Sequence, residues 1–381
     1  MILLALVLSL PSIAFTPYSF GIVPLILIEI ACFKEISKRL SERTLKLVSL
    51  LAIASFLVIV PVYNIYINPQ LDFDFDRDDA LEIASTRLFH GEYPYSVPTQ
   101  TGMPITPMAG ALILAYPFVL LGNVALQNVI WLYALAFYLS KHGWRVAFFA
   151  LACLLSSPMI FQEFLYEGDL LTNTIYVALA IVWFRRNYSI PSSLFLGLTL
   201  ASRLNFLIWL PILFFDLYYR YGLLKAVQKM TLVSAVFIAL TLPFYMYSPS
   251  EFSPLHTLGK LGVDGFLGFG VFVTLTIALF VFMMRKHDAM LTGSLAQIIP
   301  VFMIFIAYSA QNIHPAIIND RLSYGMYATV PFILFYLETH YEKVSKHYPA
   351  RVLLRMSSVS RNLLRHFPFK QTNKEREFRL P

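Results

Sequence analysis

Residues 47–68, LVSLLAIASFLVIVPVYNIYIN, carry no charged side chain, and a few residues later the chain turns into Asp72-Phe-Asp-Phe-Asp-Arg-Asp-Asp79. A helix needs about 20 mostly apolar residues to cross the ~30 Å hydrocarbon core of a bilayer, so 47–68 reads as a membrane span that delivers an acidic loop. The rest of the chain has the same character. It is 58% hydrophobic and 13% charged over 381 residues, with 33 Phe, 22 Tyr and a mean hydropathy of +0.66. No soluble domain of this size needs so much apolar surface. The composition predicts an all-α, polytopic transmembrane helical protein, with about 11 spans. An integral membrane domain over 1–338 is followed by a basic tail over 339–381 that holds ten Lys and Arg.

The net charge of +7 does not point to nucleic acid, because the basic residues cluster between apolar runs and in the tail. The positive-inside rule accounts for that distribution. Cys32 and Cys153 sit in apolar runs without metal-ligand spacing and read as packing residues. Residues 1–33 lack a basic start and stay apolar beyond a signal-peptide core, so they read as one long or two short spans interrupted by Pro11, Pro17 and Pro24.

Residues 34–46 are basic and amphipathic and are expected on the cytoplasmic surface. The acidic loop, 69–107, then falls on the external side. Helical spacing of Leu81, Ala84 and Leu88 predicts a helix over Asp78–His90 that stops at Gly91. Tyr93-Pro94-Tyr95, Pro98, Pro104 and Pro107 predict an extended return to the membrane. Apolar runs follow at 108–122, 124–140, 145–161 and 170–184. A re-entrant or surface-lying 108–122 puts Lys141/Arg145 and Arg185/Arg186 in the cytoplasm and brings Glu163, Glu167 and Asp169 to the external face, opposite the first acidic loop. Residues 190–217 are too long for one span and break at Ser202-Arg203-Leu204-Asn205, which returns Arg220, Lys225 and Lys229 to the cytoplasm. Spans at 230–247, 266–284, 291–310 and 322–338 complete the membrane domain and leave the tail cytoplasmic in a multi-pass cell-membrane protein.

This topology gathers the acids 72–79, the acids Glu163, Glu167 and Asp169, the isolated Arg203, and the loop with His314, Asp320 and Arg321 on one face. Ionisable groups at membrane depth cost about 2.5–3.5 kcal/mol on insertion scales and so point to function. A carboxylate at the end of a span can act as general base on a hydroxyl. Arg203 can hold a phosphate bidentately, or pair with a buried carboxylate. A cation held by Asp72, Asp74 and Asp76 is a further reading, although the spacing is not that of an EF-hand: Arg77 occupies the glycine position and Ile83 the bidentate glutamate position. No Gly-rich nucleotide-binding loop is present.

The acidic pair followed by a short helix, Gly91-Glu-Tyr-Pro94-Tyr95, a Pro-rich stretch and an apolar run resembles the polyprenyl-phosphate-dependent, mannosyltransferase-like branch of the GT-C glycosyltransferases. Gly197-Leu-Thr-Leu-Ala-Ser-Arg203 with the apolar run to Pro211, and the segment from Arg321 to Pro331, are similar to later parts of that family. The resemblance covers about residues 47–340, and the chain departs from it at Met103-Pro-Ile-Thr-Pro107, where many members carry a Tyr-x-Pro-Pro-like segment. It implies inverting transfer of a sugar from a polyprenyl-phosphate donor to a glycan or lipid acceptor on the external face, without a cofactor. The general base falls on Asp76, Asp78 or Asp79, and the donor phosphate on Arg203. Tyr93, Tyr95, Glu163, Glu167, Asp169, His314, Asp320 and Arg321 complete the expected substrate-binding set. The tail is expected to meet anionic headgroups. The alternatives are an ion-coupled transporter or lipid flippase, and a non-catalytic membrane assembly subunit.

Overall fold

Ser41 starts the helix that contains the opening stretch: its Oγ accepts the backbone N–H of Thr44 at 3.1 Å, and Glu42 places an acid at the positive end of the helix dipole. In the computed structural model, which describes residues 22–66, 77–255, 288–310 and 326–347, every regular element among the described residues is helical. Helix α1 (Ile22–Arg39) turns at Leu40-Ser41 into α2 (Glu42–Tyr66), so the basic stretch 34–46 holds the turn between two helices. After α3 (Arg77–Phe89) come α4 (Ala109–Leu120), α5 (Leu126–Ser140), α6 (Trp144–Leu155), α7 (Pro158–Leu165) and α8 (Leu170–Asn187). Then follow α9 (Ile190–Leu200), a 3₁₀ turn at Leu204–Ile208, α10 (Trp209–Tyr221), α11 (Leu223–Tyr247), α12 (Ala289–Ala310) and α13 (Met326–His347). The chain divides into two units, Met1–Phe335 and Tyr336–Pro381. The expected span 266–284 and the tail beyond 347 lie outside the described residues.

Two helices, Glu42–Tyr63 within α2 and Leu223–Tyr247 (α11), are long and apolar enough to cross a membrane. At 25 residues, α11 is about 37 Å long. Each buries one stripe at helical spacing: Leu45, Ile53, Phe56 and Val60 in α2, and Ala226, Met230, Val233 and Phe237 in α11. Their remaining faces expose Leu47, Leu51, Val58 and Ile65, and Leu224, Ile238, Leu242 and Met246. Only 28% and 17% of their most apolar windows is buried within the protein, the reverse of a soluble core helix. Shorter apolar helices are α4, α5, α6, α9, and the first parts of α12 and α13. At 12 residues α4 spans about 18 Å, too short to cross unaided. The expected run 145–161 is broken at Ser156-Ser157 into α6 and α7.

At the centre lies α8, buried on every face from Leu170 to Ala178 and packed by α5, α7 and α9. The expected break near Arg203 is present. Helix α9 ends at Leu200, Arg203 is extended (φ −148°, ψ 143°), and a 3₁₀ turn leads into α10. The backbone groups freed there find partners at the start of α4: Met108 N–H donates to the Ser202 carbonyl and Gly110 N–H to that of Ala201, both at 2.9 Å. Glycine is required at 110, because a Cβ would lie 2.2 Å from the Leu198 carbonyl oxygen and 2.6 Å from the Ala201 carbonyl carbon. One helix end thus satisfies another where water is scarce.

Candidate functional site

Helix α3 lies against α4, with Leu81, Ala84 and Ser85 buried and Ser85 Oγ donating to the Leu112 carbonyl at 3.1 Å. Its end is a Schellman motif. Gly91 takes φ +76°, its N–H bonds the Leu88 carbonyl at 3.2 Å, and Glu92 N–H reaches back to the Arg87 carbonyl at 2.9 Å. Arg87 then grips the following corner through the Tyr93 carbonyl (3.1 Å), Ser96 Oγ (3.0 Å) and the Glu92 carboxylate (2.9 Å). This corner carries Tyr93 and Tyr95, two expected substrate contacts. The Tyr93 hydroxyl donates to the Phe244 and Ser248 carbonyls (3.0 and 3.2 Å) at the end of α11. Burial pushes its ionisation up to about 12. Tyr95 is packed edge-on against Phe244 and Phe252, and burial raises its hydroxyl well above the usual phenol range.

At the other end of α3, Asp79 accepts from Gln100 Nε2 at 3.1 Å. Asp78 Oδ1 is buried with no hydrogen-bond partner among the described residues. Burial pushes the Asp78 carboxyl up to about 7; the backbone N–H of Asp79 opposes the rise, and the charges of Glu167 and Asp79 add to it. Asp78, at the end of the first acidic stretch, thus lies within reach of the charge of Glu167 in the second.

The second loop is built tightly. Glu163 Oε1 accepts the Leu170 N–H at 2.7 Å, capping the start of α8, which accounts for its burial without a ligand. Glu167 adopts φ +55°, uncommon for a residue with a side chain, and the Gly168 carbonyl accepts from Asn128 Nδ2 at 2.9 Å. Asp169, wholly buried, accepts from Asn173 Nδ2 at 2.8 Å and from Arg203 Nη2 at 2.6 and 2.5 Å. Arg203 Nη1 donates to Thr106 Oγ1 at 2.7 Å. The structure shows the buried carboxylate pair, one of the two sequence readings of Arg203: Nη2 is engaged by Asp169 and Nη1 by the Pro-rich return of the first loop.

Asp78 lies beside Glu167, and two residues of backbone, at most about 7 Å, separate Glu167 from Asp169. The charge of Glu167 reaches Asp78, and Asp169, two residues on from Glu167, pairs with Arg203 in a polar cluster at the head of α8. Thr106, Asn173 and Tyr176, whose hydroxyl bonds Asn173, belong to it and were not anticipated. The available signal was a run of polar side chains, Thr172-Asn173-Thr174, opening an apolar helix. Asp76, His314, Asp320 and Arg321, and the cation site of Asp72, Asp74 and Asp76, lie outside the described residues.

No protein-family model, curated protein or solved structure matches this chain. The functional reading therefore rests on the residues themselves. A half-buried carboxyl titrating near neutrality can take or give a proton at physiological pH, and a neighbouring acid and a buried ion pair hold it in place.

Proposed function

We propose that the chain is a polytopic membrane glycosyltransferase of the GT-C type, with about 11 spans. It transfers a sugar, with inversion, from a polyprenyl-phosphate donor to a glycan or lipid acceptor at the external face. Asp78 is the general base. The observation that carries the assignment is its buried, unpartnered Oδ1 together with a carboxyl pushed up to about 7. A base of that strength removes a hydroxyl proton at neutral pH while the sugar carbon inverts. Asp79 and Glu167 supply the charge that tunes it, and the Asp169–Arg203 pair locks the loop that carries Glu167. Arg203 is the first candidate for the donor phosphate, with His314 and Arg321 as further substrate-binding residues. The largely exposed apolar faces of α2 and α11 support the membrane reading.

The test is sugar transfer from a polyprenyl-phosphate donor by purified protein, comparing wild type with Asp76→Asn, Asp78→Asn and Asp79→Asn. Loss of a general base lowers kcat about 10²–10⁴-fold, so Asp78→Asn should fall by that factor. Undiminished turnover in Asp78→Asn sinks the assignment of Asp78, and undiminished turnover in all three variants removes the base from this stretch altogether.

A second reading, an ion-coupled transporter or flippase, is favoured by one observation. Discontinuous helices α4 and α9 meet end to end beside a buried ion pair, as at transporter binding sites. Ion-driven uptake into vesicles containing the protein, without sugar transfer, would select it.

A further inference from the structure

A second polar site lies at the opposite end of α8 and α9, where the α8–α9 and α10–α11 corners meet in an open cavity of about 450 Å³. The 18 residues of α8 put it about 27 Å along the helix from Asp169, close to the thickness of a bilayer core. Tyr188, Ser189, Ser193, Tyr221, Lys225 and Lys229 line it. Lys229 Nζ sits 3.7 Å from the Tyr188 ring centre and 5.6 Å from that of Tyr221, so its ammonium is held in place at the wall. Tyr188 takes φ +32°, a left-handed conformation rare for an aromatic residue, to present that ring.

The charge around the cavity is one-sided. Asp216, the nearby acid, is engaged by Arg185 at 3.2 Å and Arg220 at 3.1 Å. Among the described residues, Lys225 and Lys229 are given no carboxylate partner. The wall also has an apolar side: Ile190, more than half exposed, and Leu232 belong to it. A cationic cavity with hydroxyls inside and aliphatic side chains in its wall fits an anion that arrives with hydrocarbon attached.

We propose that this cavity binds the phosphate of an anionic membrane lipid, with Lys225 and Lys229 holding the phosphate and Ile190 and Leu232 contacting the acyl chains. The inference rests on the membrane reading above and not on sugar transfer. Recovery of the protein in the membrane fraction reports that reading separately.

The test titrates the purified full-length protein in detergent with phosphatidylglycerol, phosphatidylcholine and inorganic phosphate, counting bound molecules by native mass spectrometry. Phosphatidylglycerol is expected to bind in preference to phosphatidylcholine, with inorganic phosphate at the same concentration failing to displace it. Lys225→Gln and Lys229→Gln should each weaken binding about five-fold, and together about thirty-fold. Lys229→Arg, which keeps both charge and ring contact, should retain it, and Lys38→Gln on α1 should change nothing. Unchanged affinity in the double variant overturns the site, as does equal loss in Lys229→Arg and Lys229→Gln. Displacement of the lipid by inorganic phosphate overturns the lipid assignment in favour of a soluble anion.

Discussion

Ionising Asp78 should cost the folded protein stability, and the cost has a defined pH window. Its carboxyl is raised from the ordinary 3.8 to about 7, chiefly by burial. Between those values the folded chain keeps a proton that the unfolded chain has released. Stability therefore falls as pH rises, by about 1.4 kcal/mol per pH unit. The stabilisation is complete below pH 4 and lost once pH passes 7, a total of about 4 kcal/mol across the three-unit shift. Asp78→Asn has nearly the same shape but cannot ionise, so it should match wild type near pH 4 and exceed it by that amount at pH 8. Unfolding of both proteins in the same detergent, followed by tryptophan fluorescence at several pH values, measures the difference. Catalysis runs the opposite way, because the base must be deprotonated: wild-type transfer should rise through pH 7 while the Asn variant stays flat. Parallel stability curves for the two proteins from pH 4 to 8 would refute the argument, since they would mean that Asp78 is hydrated in the folded state.

The buried ion pair gives a second prediction. Arg203→Met leaves the Asp169 carboxylate without its cation in a site closed to water, which should cost about 3–5 kcal/mol. Adding Asp169→Leu should recover part of that loss, so the double variant melts above Arg203→Met alone; a double variant no better than additive would deny the coupling. Gly110→Ala forces a Cβ against backbone atoms of α9 that cannot move aside, and should destabilise by about 1–3 kcal/mol, readable as a lower melting temperature. An unchanged melting temperature there would mean that α4 does not dock on the α9 break.

Much of this was legible from residues alone. Leu81 and Ala84 announced the buried face of α3, Gly91 its stop, and Ser202-Arg203 the break between α9 and α10. Each of these is a local signal: a hydrophobic period, a positive φ, a charge inside an apolar run. What stayed hidden depends on partners distant in sequence. Tyr93 resembles a ligand-binding aromatic until its hydroxyl is found closing α11, 151 residues away. Glu163 caps α8 across a reversal that no periodicity marks. The division of 145–161 into α6 and α7 hangs on Ser156-Ser157-Pro158, a weak breaker within a strongly apolar run.

The break at Arg203 and the proposed catalytic centre are one construction. Ending α9 in the protein interior strands carbonyl groups that no water can reach, and the start of α4 supplies the donors. That docking carries the Pro-rich return of the first loop to the break, where Thr106 meets Arg203. Arg203 in turn holds Asp169 at the head of α8, and the two residues before Asp169 set Glu167 beside Asp78. The neighbour that helps raise the Asp78 carboxyl is therefore positioned by a hydrogen-bonded path running from a helix break to a loop. On this account Arg203→Met should lower the apparent pKa of transfer as well as the stability, because a released Glu167 no longer opposes ionisation of Asp78. A pH–rate profile with its midpoint still near 7 in that variant would show that burial alone sets the value.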